Sequence, residues 1–385
     1  MKKIILFLLI FNVLNCLLIC DDLVPGSSFN AKMRWLNSNA RRGGKYIVEV
    51  DSDQNINPIE ISYEDKEYIT IIIRGKGNGT NKISTTIEDW LFTVRDNNTL
   101  IFEDNLNIKG NIKVISGGNL IMNPGVRGPR IAVERGGSFT MNGGEISGWS
   151  GNGVEVSGVF VMNGGKIAKN WHGVYLREYG VFTMNGGEIT GNSQPRNGSG
   201  GGVYAGGNFI MHNGKIHGNR GNAGAGVYLA GTMNMDGGTI SSNYATTGGG
   251  VYVLGTLSMS GGTISNNNAS TGGGVYVNST FTMTAGEISG NRASSIAGGV
   301  YLNDTAVFNK TGGVITGYSD NNNSSNAVIN KSGMVKKGFG HTIYASNKNN
   351  DHMRIKEATS DRSDNLLFNG NTTPPNYRGN WEWDF

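Results

Sequence analysis

A repeating unit of 21 to 27 residues constrains the fold of this chain more than any other feature. The unit reads F-x-M-N-G-G-(E/K/T)-I-(S/T)-x-N, followed by a variable loop and then by G-G-V-Y-(V/L). Self-similarity at a nearly fixed period of this length is the signature of a repeat architecture. The isoleucine of the first motif recurs at Ile146, Ile167, Ile189, Ile216, Ile240, Ile264, Ile288 and Ile315. The first valine of the second motif recurs at Val154, Val174, Val203, Val227, Val251, Val275 and Val300.

Each unit contains short runs in which apolar and polar residues alternate, which is the pattern of β-strands. Phe139 and Met141 flank Thr140, and Val251 and Val253 flank Tyr252. A propeller blade needs about 40 residues and a leucine-rich repeat needs Leu-x-x-Leu, so neither fold fits. The pattern predicts an all-β fold, a right-handed parallel β-helix (solenoid). Each coil buries its Phe, Met, Ile and Val and stacks about 4.8 Å from the next coil.

Glycine and asparagine recur where such coils must turn. The Gly pairs after Asn142, Asn163 and Asn185 fit tight corners with positive φ. A second set of asparagines follows the core isoleucine by three residues, and stacked in register these side chains should hydrogen-bond as a ladder. The members of this second set are Asn170, Asn192, Asn219, Asn243, Asn267 and Asn291.

The two ends of the solenoid need covers, because open sheet edges invite aggregation. An amphipathic segment at 29–42, stopped by Gly43-Gly44, predicts a short helix that caps the first coil. We expect the tail, with Trp381 and Trp383, to cover the other end. The expected organisation is a signal peptide at 1–20, an N-terminal capping helix segment at 21–44, the β-helix at 45–345 and a C-terminal cap or tail at 346–385.

The N-terminus has the pattern of an export signal. Met1-Lys2-Lys3 precedes an apolar run of secretory-signal length. Val13-Leu14-Asn15-Cys16 resembles a relaxed bacterial lipobox, which makes Cys16 a candidate lipidation site. Simple secretion and a short transmembrane anchor are the alternatives. The chain has only 2 cysteines, so disulfides do not hold it together.

Composition excludes several classes of function. Glycine accounts for 61 of 385 residues and charged residues for only 16%. The formal net charge is +4, of which Lys2 and Lys3 contribute two positive charges that leave with a cleaved leader. A chain with so little charge is not expected to bind nucleic acid, and contact with a membrane is expected only through a lipid anchor.

Residues 110–320 carry two motifs that indicate a family resemblance. F-x-x-N occurs at Phe139–Asn142, Phe160–Asn163 and Phe182–Asn185, and G-G-V-Y occurs at 201–204, 249–252, 273–276 and 298–301. These motifs resemble the F-x-x-N and G-G-A-(I/L/V) repeats of the polymorphic outer-membrane proteins of Chlamydia, and similar repeat proteins occur in spirochaetes. The resemblance implies a cell-envelope or surface protein of adhesin type. The tail shows no strands typical of that family's autotransporter barrel, so we expect display by a lipid anchor or another exporter.

The sequence gives little support for catalysis, although many β-helices are polysaccharide lyases or hydrolases. A glycosidase needs two carboxylates about 5–10 Å apart. The repeats contain few carboxylates. The outward position next to the core isoleucine alternates in charge along successive coils, which indicates a solvent-exposed face whose charges neutralise one another: Glu145, Lys166, Glu188 and Lys215. No cofactor or metal site is expected. His212 and His217 suggest no third ligand, and Arg354-Ile355-Lys356 lacks the motifs that accompany it in polygalacturonases.

An outward row of tyrosines is the candidate ligand face, with the variable loops as a second place where specificity can arise. The row could equally serve only to stabilise stacked strands. We expect a non-enzymatic, exported envelope or surface protein that is adhesin-like or structural and contacts a host-surface protein or glycan. A polysaccharide-active enzyme and a periplasmic structural protein are the alternatives. The row consists of Tyr175, Tyr204, Tyr228, Tyr252, Tyr276 and Tyr301.

Overall fold

The chain forms a right-handed parallel β-helix of about 12 turns, as the repeat predicts. The computed structural model describes residues 22–63, 66–77, 79–195, 198–316, 325–330, 332, 334 and 343–345, and the backbone of 353–355 and 366–369. Cys16, Trp381 and Trp383 lie outside these residues, so lipidation, the leader and the division into segments stay predictions.

Three stacks of strands form the faces of the solenoid, and the strands of each stack pair in parallel from coil to coil except at the C-terminal end. Face 1 contains Asp22–Leu23, Lys45–Val50, Thr70–Gly75, Thr99–Phe102, Asn119–Met122, Ser138–Met141, Val159–Met162, Val181–Met184, Asn208–Met211, Thr232–Met235, the first parts of Thr256–Ser265 and Thr280–Ser289, Val307–Lys310 and Leu366–Asn369. Face 2 contains Gln54–Asn55, Asn81–Ser84, Leu106–Lys109, Val126–Arg127, Glu145–Ser147, Lys166–Ala168, Glu188–Thr190, Lys215–His217, Thr239–Ser241, the remainders of the two long strands and Val314–Ile315.

Face 3 carries the Val-Tyr motif. Its strands are Ile59–Ile61, Trp90–Val94, Asn111–Val114, Arg130–Val133, Asn152–Val156, His172–Leu176, Val203–Ala205, Val227–Leu229, Val251–Val253, Val275–Val277, Val300–Leu302, Ile343–Ala345 and Met353–Ile355. A small sheet of Asn268–Thr271, Arg292–Ile296 and Ala327–Val328 forms within the variable loops.

The core is a set of identical side chains stacked in columns. Phe139, Phe160, Phe182 and Phe209 are fully buried, and their rings stack with centroids 4.8–4.9 Å apart. The methionine and isoleucine of each repeat are equally buried. The predicted inward positions are therefore confirmed, and each buried isoleucine contributes about 1.5–3 kcal/mol relative to an exposed one.

The buried asparagine ladder is confirmed and is longer than predicted. In each step, the side-chain Nδ2 and the backbone N–H of one asparagine donate to Oδ1 of the asparagine in the next coil, at 2.9–3.1 Å. The same Nδ2 also donates to the carbonyl of a core isoleucine, for example from Asn243 to Ile216 at 3.0 Å. Asn326 continues the ladder beyond Asn291.

The N-terminal cap is a helix over Phe29–Asn39, three residues shorter than predicted. The hydroxyl of Ser28 accepts a hydrogen bond from the Ala31 N–H, and Phe29, Met33 and Leu36 are buried. The helix ends early because Ala40 takes extended backbone angles, although its N–H still donates to the Leu36 carbonyl. The sequence did not predict the strand Asp22–Leu23, which pairs with the first coil.

The C-terminal end changes strand direction. Ile343–Ala345 adds to face 3 in parallel, with Tyr344 in register with Tyr301. Met353–Ile355 then pairs antiparallel with it, and Leu366–Asn369 pairs antiparallel with Val307–Lys310. These two strands occupy the sheet edges of the last coil on faces 1 and 3.

Candidate ligand-binding surface

The predicted tyrosine row forms one continuous stack on face 3. Each tyrosine is in register with the tyrosine of the next coil. Successive ring centroids lie 4.7–5.5 Å apart, and the ring planes differ by 7–19°. The stack includes Tyr344, which extends it by one coil beyond the prediction. We call the complete stack the tyrosine column, and its members are Tyr175, Tyr204, Tyr228, Tyr252, Tyr276, Tyr301 and Tyr344.

Local sequence explains why the column forms. Strand alternation turns Val227 and Leu229 inward, where both are fully buried, and turns Tyr228 outward. The glycines before this strand let its backbone approach the backbone of the next coil closely. Gly224 has φ +56°, and a Cβ on Gly226 would lie 2.5 Å from the Gly250 carbonyl oxygen. The glycine directly before Val-Tyr therefore allows the close approach of neighbouring coils, and strand alternation sets the direction of the ring.

The column presents neutral hydroxyl groups rather than open ring faces. Parallel rings at this spacing lie over one another, so their edges and hydroxyls face the solvent. Among the described residues, no group hydrogen-bonds the hydroxyls of Tyr175, Tyr204, Tyr228, Tyr252 or Tyr276. Burial raises the pKa of Tyr276 to about 12 and also raises the pKa of Tyr204, Tyr228 and Tyr252. At physiological pH these hydroxyls are therefore uncharged and can donate as well as accept hydrogen bonds.

One end of the column is charged and hydrogen-bonded. Glu155 occupies the tyrosine position in the coil before Tyr175 and forms ion pairs with Arg130 and Arg177. The guanidinium of Arg177 lies 5.5 Å from the centre of the Tyr175 ring, which is a cation–π distance. The sequence does not predict this cluster, because Arg130 and Arg177 come from the two coils on either side of Glu155.

His172 lies beside the same end. Its Nδ1 is 2.8 Å from Oδ1 of Asn152, and its Nε2 is 3.0 Å from the Ser199 carbonyl oxygen. Burial lowers the pKa of His172 to about 4, so its imidazole is neutral at physiological pH. Its ring centre is 5.2 Å from that of Tyr175, so His172 packs against the column without adding charge.

The predicted outward row of face 2 has the expected register. Glu145 pairs with Lys166, Lys166 with Glu188, and Glu188 with Lys215. Although the structure describes all four side chains, no ion pair within 4.0 Å joins any two of them. The strand geometry sets their backbone spacing, but long exposed side chains gain little from a fixed contact in water.

The two repeat histidines have separate partners. Nδ1 of His212 lies 2.8 Å from Asp236, and Nε2 of His217 lies 3.9 Å from Glu188. Within the described ranges, no group of three or more His, Cys, Asp or Glu side chains is placed to hold a metal ion. The side chains of 354–356 and the loop segments 196–197 and 317–324 lie outside those ranges.

Comparison with known proteins returned no match: no family model, no curated protein and no solved structure resembles the chain closely enough to be recognised. In the part of the chain that the structure describes, no helix has the length and apolar character that crossing a membrane requires.

Proposed function

We propose that this protein is a non-enzymatic, exported component of the cell envelope or surface, and that its tyrosine column binds a host-surface protein or a glycan. The column is the observation on which the proposal depends. It is a long, regular and uncharged array on a scaffold whose core columns are closely stacked. The apolar N-terminal segment and the repeat motifs support export to the envelope.

The geometry favours a ligand that lies along the solenoid axis. Hydroxyls recur at the coil spacing over several coils, so an extended polymer can make the same weak contact many times. Linked weak contacts add up to a much stronger association than any one of them. The ion-paired cluster at Glu155 limits the array at one end, which gives a bound polymer a defined direction.

Binding of the purified protein to immobilised polysaccharides and extracellular-matrix proteins tests the proposal. The double substitution Tyr228→Ser and Tyr252→Ser removes two adjacent rings from the middle of the column. We expect affinity for the best ligand to fall at least about tenfold, which corresponds to about 1.4 kcal/mol. Binding and thermal unfolding should be measured on the same samples, so that loss of ligand contact is distinguished from loss of fold.

The matched control replaces two exposed tyrosines that lie outside the column, Tyr68→Ser and Tyr244→Ser. This control should bind as the unsubstituted protein does. Equal affinity for all three proteins would contradict a ligand-binding role of the column. New reducing or unsaturated ends in the polysaccharides would instead favour the enzymatic alternative.

A further inference from the structure

From the strand Thr99–Phe102 to the strand Val307–Lys310, the outward positions of face 1 hold no charged side chain, whereas the first two coils of the face carry Lys45, Glu49 and Arg74. Two outward columns run along it in register from Thr99 and Ile101 to Val307 and Asn309. The first column is Thr99, Asn119, Ser138, Val159, Val181, Asn208, Thr232, Thr256, Thr280 and Val307. The second column is Ile101, Ile121, Thr140, Val161, Thr183, Ile210, Asn234, Ser258, Thr282 and Asn309. We call these two columns the neutral face.

The other faces differ from the neutral face in charge. The outward row of face 2 contains Glu145, Lys166 and Glu188, and that of face 3 contains Lys113 and Glu155. Charged residues make up 16% of the chain, so two long outward columns would be expected to include several. Their exclusion from the neutral face is typical of the centre of a protein interface, where charged residues are depleted.

The neutral face is apolar and partly exposed where its branched side chains cluster. Val159 is 42% exposed, and Val161, Val181 and Ile210 are half-buried. The pairing along the face shows no register shift between these coils, so the side chains form straight rows. Ile72, the member of the second column one coil before Ile101, is only 3% exposed, so the same outward position can be buried.

The rim of the neutral face carries residues that favour protein contact. Tyr179 is 65% exposed and lies in the turn before Val181, and the Arg135 guanidinium stacks 4.1 Å from its ring centre. Tyrosine and arginine are enriched at protein interfaces. On the other rim, side-chain hydrogen bonds link Asn142, Asn163 and Asn185, and the same row continues to His212 and Asp236, which pair with each other.

We propose that the neutral face binds a second copy of this chain, face to face about a two-fold axis. Two sheets pack in this way about 10 Å apart. About ten coils at about 4.8 Å and strands of four residues give roughly 600 Å² per copy, or about 1,200 Å² in total. That area reaches the lower end of stable protein interfaces. A two-fold interface brings a surface against itself, and an uncharged surface does so without like-charge repulsion.

Sedimentation equilibrium of the mature protein, purified from a host that exports it, tests this pairing. We expect a dimer with a dissociation constant in the micromolar range. Val161→Lys places one charge from each copy within the interface and should raise the dissociation constant at least about tenfold. The side chain points outward, so circular dichroism and the melting temperature should change little.

The control is Thr263→Lys on face 2, in an outward row that already contains lysines, and it should leave the dimer intact. If Val161→Lys reduces folding, Val159→Lys, at the more exposed neighbouring position, replaces it as the test variant. An unsubstituted protein that stays monomeric at about 100 µM would overturn the proposal. So would a dimer that either face 1 lysine leaves unchanged, because its interface would then lie elsewhere.

Discussion

Replacement of Asn243 by alanine is expected to lower the free energy of unfolding by about 3–5 kcal/mol, because it interrupts the buried ladder at its centre. The Asn243 side chain accepts hydrogen bonds from the backbone and side chain of Asn219. It also donates to the Ile216 carbonyl and to Oδ1 of Asn267. Alanine leaves several of these buried groups without a partner, and each such group costs about 1–3 kcal/mol.

The chain provides its own control for this prediction. Asn163 belongs to the exposed corner row and hydrogen-bonds Asn142 and Asn185 in a similar side-chain ladder. Water can replace those partners, so Asn163→Ala should cost less than about 1 kcal/mol. Urea unfolding followed by circular dichroism compares the two variants. Equal losses would show that burial of the Asn170–Asn326 ladder does not stabilise the solenoid.

Substitution of Ile240 by aspartate should have the larger effect of the two. Ile240 is fully buried and lies between Ile216 and Ile264 in the core column. Aspartate removes the apolar contacts and places a carboxylate among the buried apolar side chains of the core. We expect a loss of more than about 5 kcal/mol, which should abolish the β-sheet circular dichroism or lower the melting temperature sharply.

Ser241→Asp is the matched control, because Ser241 follows Ile240 in the same strand but points outward. It introduces the same side chain one position away and should change the melting temperature only slightly. A melting curve for Ile240→Asp that matches that of Ser241→Asp would contradict the inward isoleucine column.

The features that the sequence predicts correctly are those that each coil repeats. Val251 and Val253 flank Tyr252 in the same way as in neighbouring coils, so periodicity alone assigns inward and outward faces. Asn243 follows Ile240 by three residues, and that constant spacing places the buried ladder. Asn326 does not follow this spacing, because it comes eleven residues after Ile315 rather than three.

The features that the sequence does not predict depend on contacts between different parts of the chain. The helix end at Asn39 and the strand Asp22–Leu23 depend on packing at the first coil. The cluster around Glu155 joins Arg130 and Arg177 from the two neighbouring coils, and no short motif connects them. The tyrosine row was predictable as a row, whereas the near-parallel stacking of its rings follows only from the geometry of the coils.

The two proposed surfaces can act at the same time. The tyrosine column lies on face 3, and the neutral face lies on face 1, which is a separate stack of strands. Pairing of two copies through face 1 would leave both tyrosine columns open and would double the number of contacts with a polymeric ligand. Avidity then predicts weaker ligand binding by Val161→Lys even though its tyrosine column is intact.

Protease accessibility on intact cells that make the protein tests the proposed surface role most directly. A periplasmic marker in the same cells reports whether the envelope stays closed during digestion. We predict that the protein is digested while the marker survives, which would place the tyrosine column within reach of external ligands. Protection of the protein until the envelope is broken would contradict a role in attachment and would favour the periplasmic structural alternative.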